Sequence, residues 1–254
     1  MKTEILYEDN SILVIRKPAG LAVQSAGIGQ ADVVSELKSH LAKLPGAGRT
    51  GKGEPYLGIV HRLDQPVEGL LVFAKDTKAA AALSKQLTEG ALNKHYYAVL
   101  CGYPDCPEGD LVDYLRKEGN VAVAVTGREQ EFADAKIAAL HYRILEEINA
   151  LSPLALADVT IGTGRFHQIR VQFAHAGFPL FGDTKYGTAV LKEAMPAQKY
   201  RGVALCAYSL ELVHPVSGKK MGFRVVPKNP AFAGFAMEEL KKLTENETGI
   251  SKRG

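Results

Sequence analysis

The chain has 254 residues, enough for one large domain or two small ones, with 46% hydrophobic and 23% charged residues, ordinary values for a soluble globular protein. It has no apolar run of about 18 residues to cross a membrane as a helix, and Met1-Lys2-Thr3-Glu4 leads straight into strand-like sequence, so no secretory signal is expected. Three cysteines without a C-x-x-C pair exclude a disulfide framework and a zinc signature and fit a reducing cytoplasm, while the net charge of +3 is compatible with an RNA partner without requiring one.

In chain order, Ile5 to Tyr7 and Ile12 to Arg16 read as two short strands turning at Asp9-Asn10. Asp32 to Leu44 carries Val33, Val34, Leu37, Leu41 and Leu44 at helical spacing, and Pro45-Gly46 ends it. Gly46 to Glu54 is a glycine-rich basic loop. Asp76 or Thr77 caps a second helix, Lys78 to Glu89, with Gly90 as its stop. From Lys94 the pattern turns to strand: Tyr96 to Leu100, Val121 to Val125, Ala135 to Glu146 and Leu154 to Ile161, punctuated at Pro104 to Gly109 and Thr126 to Gln130. Arg165 to Ala176 reads as a helix ended by Gly177. Val203 to Leu212 and Met221 to Val226 form a strand pair around His214 to Lys219. Ala231 to Leu243 reads as a last helix, and residues 244–254 as a polar, fraying tail. Strands outnumber helices and often follow one another directly. This predicts an α+β fold with a largely antiparallel sheet.

The stretch richest in chemistry runs from Gly58 to Lys75. Two apolar strand-like runs, Ile59-Val60 and Leu70 to Phe73, bracket a polar loop holding His61, Arg62, Asp64 and Glu68. Pro66 biases Gln65 away from helix, which puts Asp64 where a strand ends and a turn begins. A carboxylate among basic groups stays ionised, as a nucleophile or general base requires. A structural ion pair with Arg62 would fit the same residues.

H-R-L-D followed by Gly69 resembles the signature of RluA-type RNA pseudouridine synthases. Further segments match in order: Tyr7 to Leu21 with its K-P-x-G-L turn, the K-x-Y-x-A of Lys94 to Ala98, the G-R-x-H-Q-I-R of Gly164 to Arg170, and the G-D-x-x-Y-G of Gly182 to Gly187. The resemblance extends from about Tyr7 to about Pro230. It implies one catalytic domain over residues 1–243, built on a long mixed, mostly antiparallel sheet with flanking helices and loops around a central cleft. Some members carry a small N-terminal RNA-binding domain; with strand-like sequence already at residue 5, none is expected here. The implied activity is isomerisation of uridine to pseudouridine in ribosomal or transfer RNA, by a cytoplasmic monomer without cofactor, metal or protein partner. The alternative is an inactive relative kept as an RNA-binding module.

The reaction needs an anion beside the sugar and base, a pocket for the detached base and a flipped nucleotide. Asp64 is the expected anion. Arg170 borders the apolar face made by Phe166, Ile169 and Phe173, where a guanidinium must find an anion. The resemblance makes that anion Asp64; Asp183 is the other choice. Tyr96 and Tyr97 face opposite sides of a strand, and the K-x-Y spacing selects Tyr96 for the base. Arg62, expected to share a strand face with Asp64, is a substrate-binding candidate. So is Arg165, at a helix N-terminus that disfavours a cation, where RNA phosphate or an internal carbonyl would hold it. His61 is a weaker candidate. His167 and Gln168 are expected to shape the site by hydrogen bonds, and Leu205 packs either near the base or in plain core.

The family's usual Thr-Ser after H-R-L-D-x-x is Val67-Glu68 here, and the extra negative charge of Glu68 is expected to alter loop contacts with RNA. Its L-H-A reads Leu205-Cys206-Ala207. Gly46 to Lys52 nearly spells a phosphate-binding loop, but Gly53 stands where Ser or Thr is needed and no strand precedes it. It is expected instead to approach RNA phosphate. No His, Cys, Asp or Glu cluster has metal-ligand spacing.

Overall fold

The computed structural model describes residues 1–25, 27, 29–44, 53–125, 134–149, 153–187 and 202–236. Most of the Gly46 to Glu54 loop, the end of the Ala231 to Leu243 segment and the 244–254 tail lie outside them. The chain divides into two compact units, one of Met1–Lys94 with Ala207–Pro227 and Glu238–Gly254, the other of His95–Cys206 with Lys228–Met237.

In the first unit, β1 (Glu4–Glu8) pairs antiparallel with β2 (Ile12–Lys17), and β2 with β4 (Glu68–Ala74), in a register that sets Lys17 opposite Gly69. On the edge of β4 away from β2 lie the short β3 (Gly58–Ile59) and β10 (Leu205–Val213), with β11 (Lys220–Arg224) antiparallel to β10. Ile12 to Ile15 and Glu68 to Ala74 are buried at every position. Such runs, unlike alternating ones, belong to strands covered on both faces. The helices α1 (Val33–Leu41) and α2 (Thr77–Thr88) bury Val33, Val34, Leu37 and Leu41, and Ala79 and Leu83. Each starts where an aspartate caps it: Asp32 accepts from the Ser35 amide at 2.7 Å, and Asp76 from the Ala79 amide at 2.8 Å. The first helix stops at Leu41, short of the expected Leu44, which is exposed.

Gly69 adopts φ +127°, and a Cβ there would stand 2.5 Å from the Ala207 backbone nitrogen. Only glycine lets β10 pass so close to the start of β4.

The second unit is an antiparallel sheet in the order β5 (Asn93–Cys101), β9 (Leu154–Ile161), β8 (Lys136–Ile148), β6 (Glu108–Glu118), β7 (Val121–Val125). Helix α3 (Gln168–His175) packs on β6 and β7, where Val171 joins Leu115, Ala122 and Ala138 in one cluster. The sequence reading missed β6. It also began the Arg165 to Ala176 helix too early: Arg165 to His167 lie outside α3, and Phe166, expected on the buried face, is exposed. Beyond Pro230, the described part of the terminal segment is a single 3₁₀ turn, Pro230–Phe232. The observed elements make an α+β fold, and every strand pairing with a resolved register is antiparallel.

Candidate active site

In the first unit, His61 to Asp64 follow β3 in irregular backbone, not in a strand as expected for Arg62 and Asp64. A turn at Gln65-Pro66, closed by the Val67 amide donating to the Asp64 carbonyl at 3.1 Å, returns the chain into β4. Asp64 is half-buried and Arg62 is exposed.

Lys17 holds this loop. Its side chain is fully buried, and Nζ donates to three carbonyls, Leu21 at 2.7 Å, Pro18 at 3.0 Å and Gln65 at 3.1 Å. An ammonium has three donors, and all are used. The Gly20 amide also donates to the Gln65 carbonyl at 2.8 Å, and the Gln65 amide group returns a bond to the Gly20 carbonyl at 3.1 Å. The K-P-x-G-L turn is thus a clamp on the residue that follows Asp64. Burial pushes Lys17 down to about 8, against the opposing pull of Asp64 and Glu68. Sequence reasoning quoted this motif but gave Lys17 no role, because a lysine before Pro-x-Gly reads as an exposed turn residue.

One expectation about the loop changes. Glu68 does not face RNA: it is buried and paired with Arg16 at 3.6 Å, and Arg16 also donates to the Val226 carbonyl. Val67, in place of the usual Thr, is buried as well. His61, a weaker candidate for substrate contact, is buried. Its Nε2 accepts from the Val72 amide at 3.3 Å, so the neutral ring carries its proton on Nδ1, which is buried without a partner. Burial, with the charge of Lys94, brings His61 down to about 3.

In the second unit, Arg170 is buried and binds Asp183 in a fork, Nε to Oδ2 at 2.7 Å and Nη2 to Oδ1 at 2.8 Å. Asp183 Oδ1 also accepts from the amides of Lys185 and Tyr186 at 3.0 and 3.2 Å. The Tyr186 ring lies 5.1 Å from the Arg170 guanidinium. Its hydroxyl accepts from the Ala122 amide at 2.8 Å and sits 2.6 Å from His167 Nδ1. The G-D-x-x-Y-G motif therefore supports G-R-x-H-Q-I-R: Asp183 aims the arginine and Tyr186 braces the histidine. Sequence reasoning named Asp183 as one of two anions for Arg170 and missed Tyr186.

His167 holds φ +54°, the left-handed region that a non-glycine residue enters at a cost, immediately before α3. Gln168 fixes that entry. Its Oε1 accepts from Thr163 Oγ1 at 2.7 Å and the Arg165 amide at 3.0 Å, and its Nε2 donates to the Ala139 carbonyl at 3.0 Å. Arg165 Nε donates to the Ile137 carbonyl at 2.9 Å. Tyr96 is buried on β5 opposite Val159, and Leu205 is buried at the start of β10. Cys101, Cys106 and Cys206 are free thiols, and burial pushes Cys101 up to about 12, far from a thiolate nucleophile. Among the described residues no group of His, Cys, Asp and Glu is placed to hold a metal ion, and no helix is long and apolar enough to cross a membrane.

A family model described as RNA pseudouridylate synthase matches residues 11–175, a span that includes the Lys17 clamp, Asp64, Tyr96 and Arg170. The chain belongs to the RNA pseudouridylate synthase family. It is 36% identical over 229 residues to the ribosomal large subunit pseudouridine synthase D of Zymomonas mobilis, covering 87% of this chain and 68% of that protein. It is 38% identical over 226 residues to an uncharacterized RNA pseudouridine synthase of Synechocystis, covering 85% and 63%. It spans about two thirds of the length of these relatives. Among solved structures, human RNA pseudouridylate synthase domain containing 4 superposes with a TM-score of 0.68 at 25% identity, over 94% of this chain and 93% of that one. Domain containing 1 of the same human series gives 0.70 at 19% identity, over 96% and 94%, a likeness of fold. The synthase is thus an isomerase acting on uridine in RNA.

Proposed function

We propose that this synthase modifies specific uridines of large-subunit ribosomal RNA, with Asp64 as the essential carboxylate. The choice of RNA rests on the relatives from Zymomonas mobilis and Pseudomonas aeruginosa, both named ribosomal large subunit pseudouridine synthase D. The observation that carries the choice of Asp64 is its place in the loop: half-buried, in a turn whose next residue is clamped by Lys17 and Gly20.

The chemistry breaks the C1′–N1 bond, turns the uracil and joins C5 to C1′. The C5 proton leaves and N1 gains one, so nothing is oxidised or hydrolysed, and no cofactor is called for. Asp64 supplies the anion beside sugar and base. Tyr96 packs on the flipped base. Arg170, held rigid by Asp183, is a second catalytic group. Arg62, exposed on the Asp64 loop, and Arg165 contact the RNA, while His167, Gln168 and Leu205 shape the surroundings of the base. Residues 1–243 act as one catalytic domain, in a cytoplasmic monomer.

The test follows from the bond change. RNA transcribed with tritium on uridine C5 releases it to water when C5 bonds to C1′. The purified protein, dialysed against EDTA, is expected to release tritium from unmodified large-subunit ribosomal RNA and to leave transfer RNA unchanged. Release from transfer RNA alone would reverse the substrate assignment. Binding without release from either would favour an inactive RNA-binding relative, and strict dependence on a protein-bound metal would overturn the mechanism.

A further inference from the structure

The first unit holds two lysines drawn into the protein near the Asp64 loop, and they are treated differently. Lys17 is fully buried, and all three of its donors reach carbonyls while Asp64 and Glu68 balance its charge. Lys94, at the start of β5, is half-buried, and among the described residues it makes no hydrogen bond and no ion pair. Its one charged influence is on a neighbour that gives nothing back: Lys94 helps to hold His61 neutral. Burial alone lowers the pKa of Lys94.

The Lys94 ammonium keeps contact with water and has no acceptor on the protein among the described residues. Other lysines of the unit reach a carboxylate. Lys75 reaches Glu8 at 2.8 Å, and Lys38 reaches Glu54 at 3.1 Å. Lys94 stands two residues before Tyr96 in one strand, so by strand alternation both side chains leave the same face. The ammonium is therefore open to a ligand that approaches along that face.

We propose that Lys94 is a phosphate-binding residue of the synthase, its ammonium taking a phosphodiester oxygen of the RNA close to the target uridine. The proposal rests on the isomerase reading above and adds a contact to it. RNA carries its negative charge only on its phosphodiesters, and a compact ammonium suits a single phosphate oxygen.

The test compares Lys94→Gln and Lys94→Arg with the parent on one probe, an unmodified transcript of large-subunit ribosomal RNA, by filter binding across roughly 50–200 mM salt. Lys94→Gln is expected to bind several-fold more weakly at low salt. Its plot of log affinity against log salt should be shallower by about 0.7–0.9, the loss of one phosphate contact. Lys94→Arg should keep the parent's slope. The melting temperature of Lys94→Gln should equal or exceed the parent's, because no protein partner is lost. An unchanged slope and affinity would overturn the proposal, as would a lowered melting temperature with an unchanged slope, the mark of a purely structural lysine. Tritium release by the parent on the same transcript is scored separately. Its failure would count against the choice of RNA, whereas the salt slope reports on Lys94 alone.

Discussion

Arg170 and Asp183 are joined by two parallel hydrogen bonds of 2.7 and 2.8 Å with both side chains buried, so the arginine of Q-I-R is anchored by the aspartate of G-D-x-x-Y-G. This fork fixes the plane of the guanidinium. Removing either partner strands a buried charge. Arg170→Ala and Asp183→Ala are each expected to lose about 3–5 kcal/mol of stability in urea unfolding. The apolar double replacement Arg170→Met with Asp183→Leu should recover part of that loss while leaving the enzyme inactive. A single variant losing under about 1 kcal/mol would show that the pair is not what holds this region.

How much of this was legible beforehand depends on the kind of signal. Covered strands such as Ile12 to Ile15 and Leu70 to Phe73 announce themselves by unbroken apolar runs, and α1 and α2 by spacing and aspartate caps. Strand β6 did not, because Leu111 and Val112 are adjacent and break the alternation, and Val112 is 60% exposed. The start of α3 was misplaced because the left-handed turn falls on His167, a residue type that adopts that conformation only occasionally. The site was legible as motifs but not as pairings. The motifs favoured Asp64 as the acid for Arg170, whereas the fork observed is to Asp183, and the burial of Lys17 comes from the loop folded over it, which a strand-end lysine does not reveal.

Gly69 gives a sharp test of the loop's second anchor. Its φ of +127° is strained for any L side chain, and a Cβ would sit 2.5 Å from the Ala207 nitrogen. Gly69→Ala should therefore add backbone strain and overpacking together, about 2–5 kcal/mol. Thermal unfolding checks it. A variant as stable as the parent would mean that β4 and β10 separate without cost at this point.

His61 sets an acid limit. Burial, aided by the charge of Lys94, brings it down to about 3 from the usual 6.5. Its contribution to stability is complete above pH 6.5, where folded and unfolded chains are both unprotonated there, and is lost as pH falls from 6.5 towards 3, because only the unfolded chain takes the proton. The parent should lose up to about 1.4 kcal/mol per pH unit from this group across that window. The unfolding free energy of the parent minus that of His61→Leu, measured at pH 7, 6 and 5, should shrink accordingly. A constant difference would show that His61 titrates alike in both states.

Asp64→Asn removes nucleophile and base but keeps the shape. Tritium release should fall at least about a thousandfold, roughly 4 kcal/mol of barrier. RNA affinity should stay close to the parent's, since the amide takes no phosphate contact away. Turnover within about tenfold of the parent would remove Asp64 from the chemistry.

Lys17 gives a pH signature of the same sign at higher pH, and it reports on Asp64. Burial depresses it to about 8 from 10.5, while Asp64 and Glu68 pull it back up. Between these values the unfolded chain binds the proton that the folded chain has lost, so this group stabilises most fully above pH 10.5 and its contribution is lost as pH falls through 8. Its share of stability should rise by about 3 kcal/mol over that range. The parent minus Lys17→Met difference in urea unfolding, followed from pH 7.5 to 9.5, isolates it from the tyrosines that titrate nearby. Asp64→Asn deletes one of the two carboxylates supporting the ammonium, so the rise should begin at a lower pH in that variant. A rise that starts at the same pH with and without the Asp64 charge would mean that Lys17 holds the loop through its three carbonyl bonds alone, with no electrostatic hold on the catalytic carboxylate.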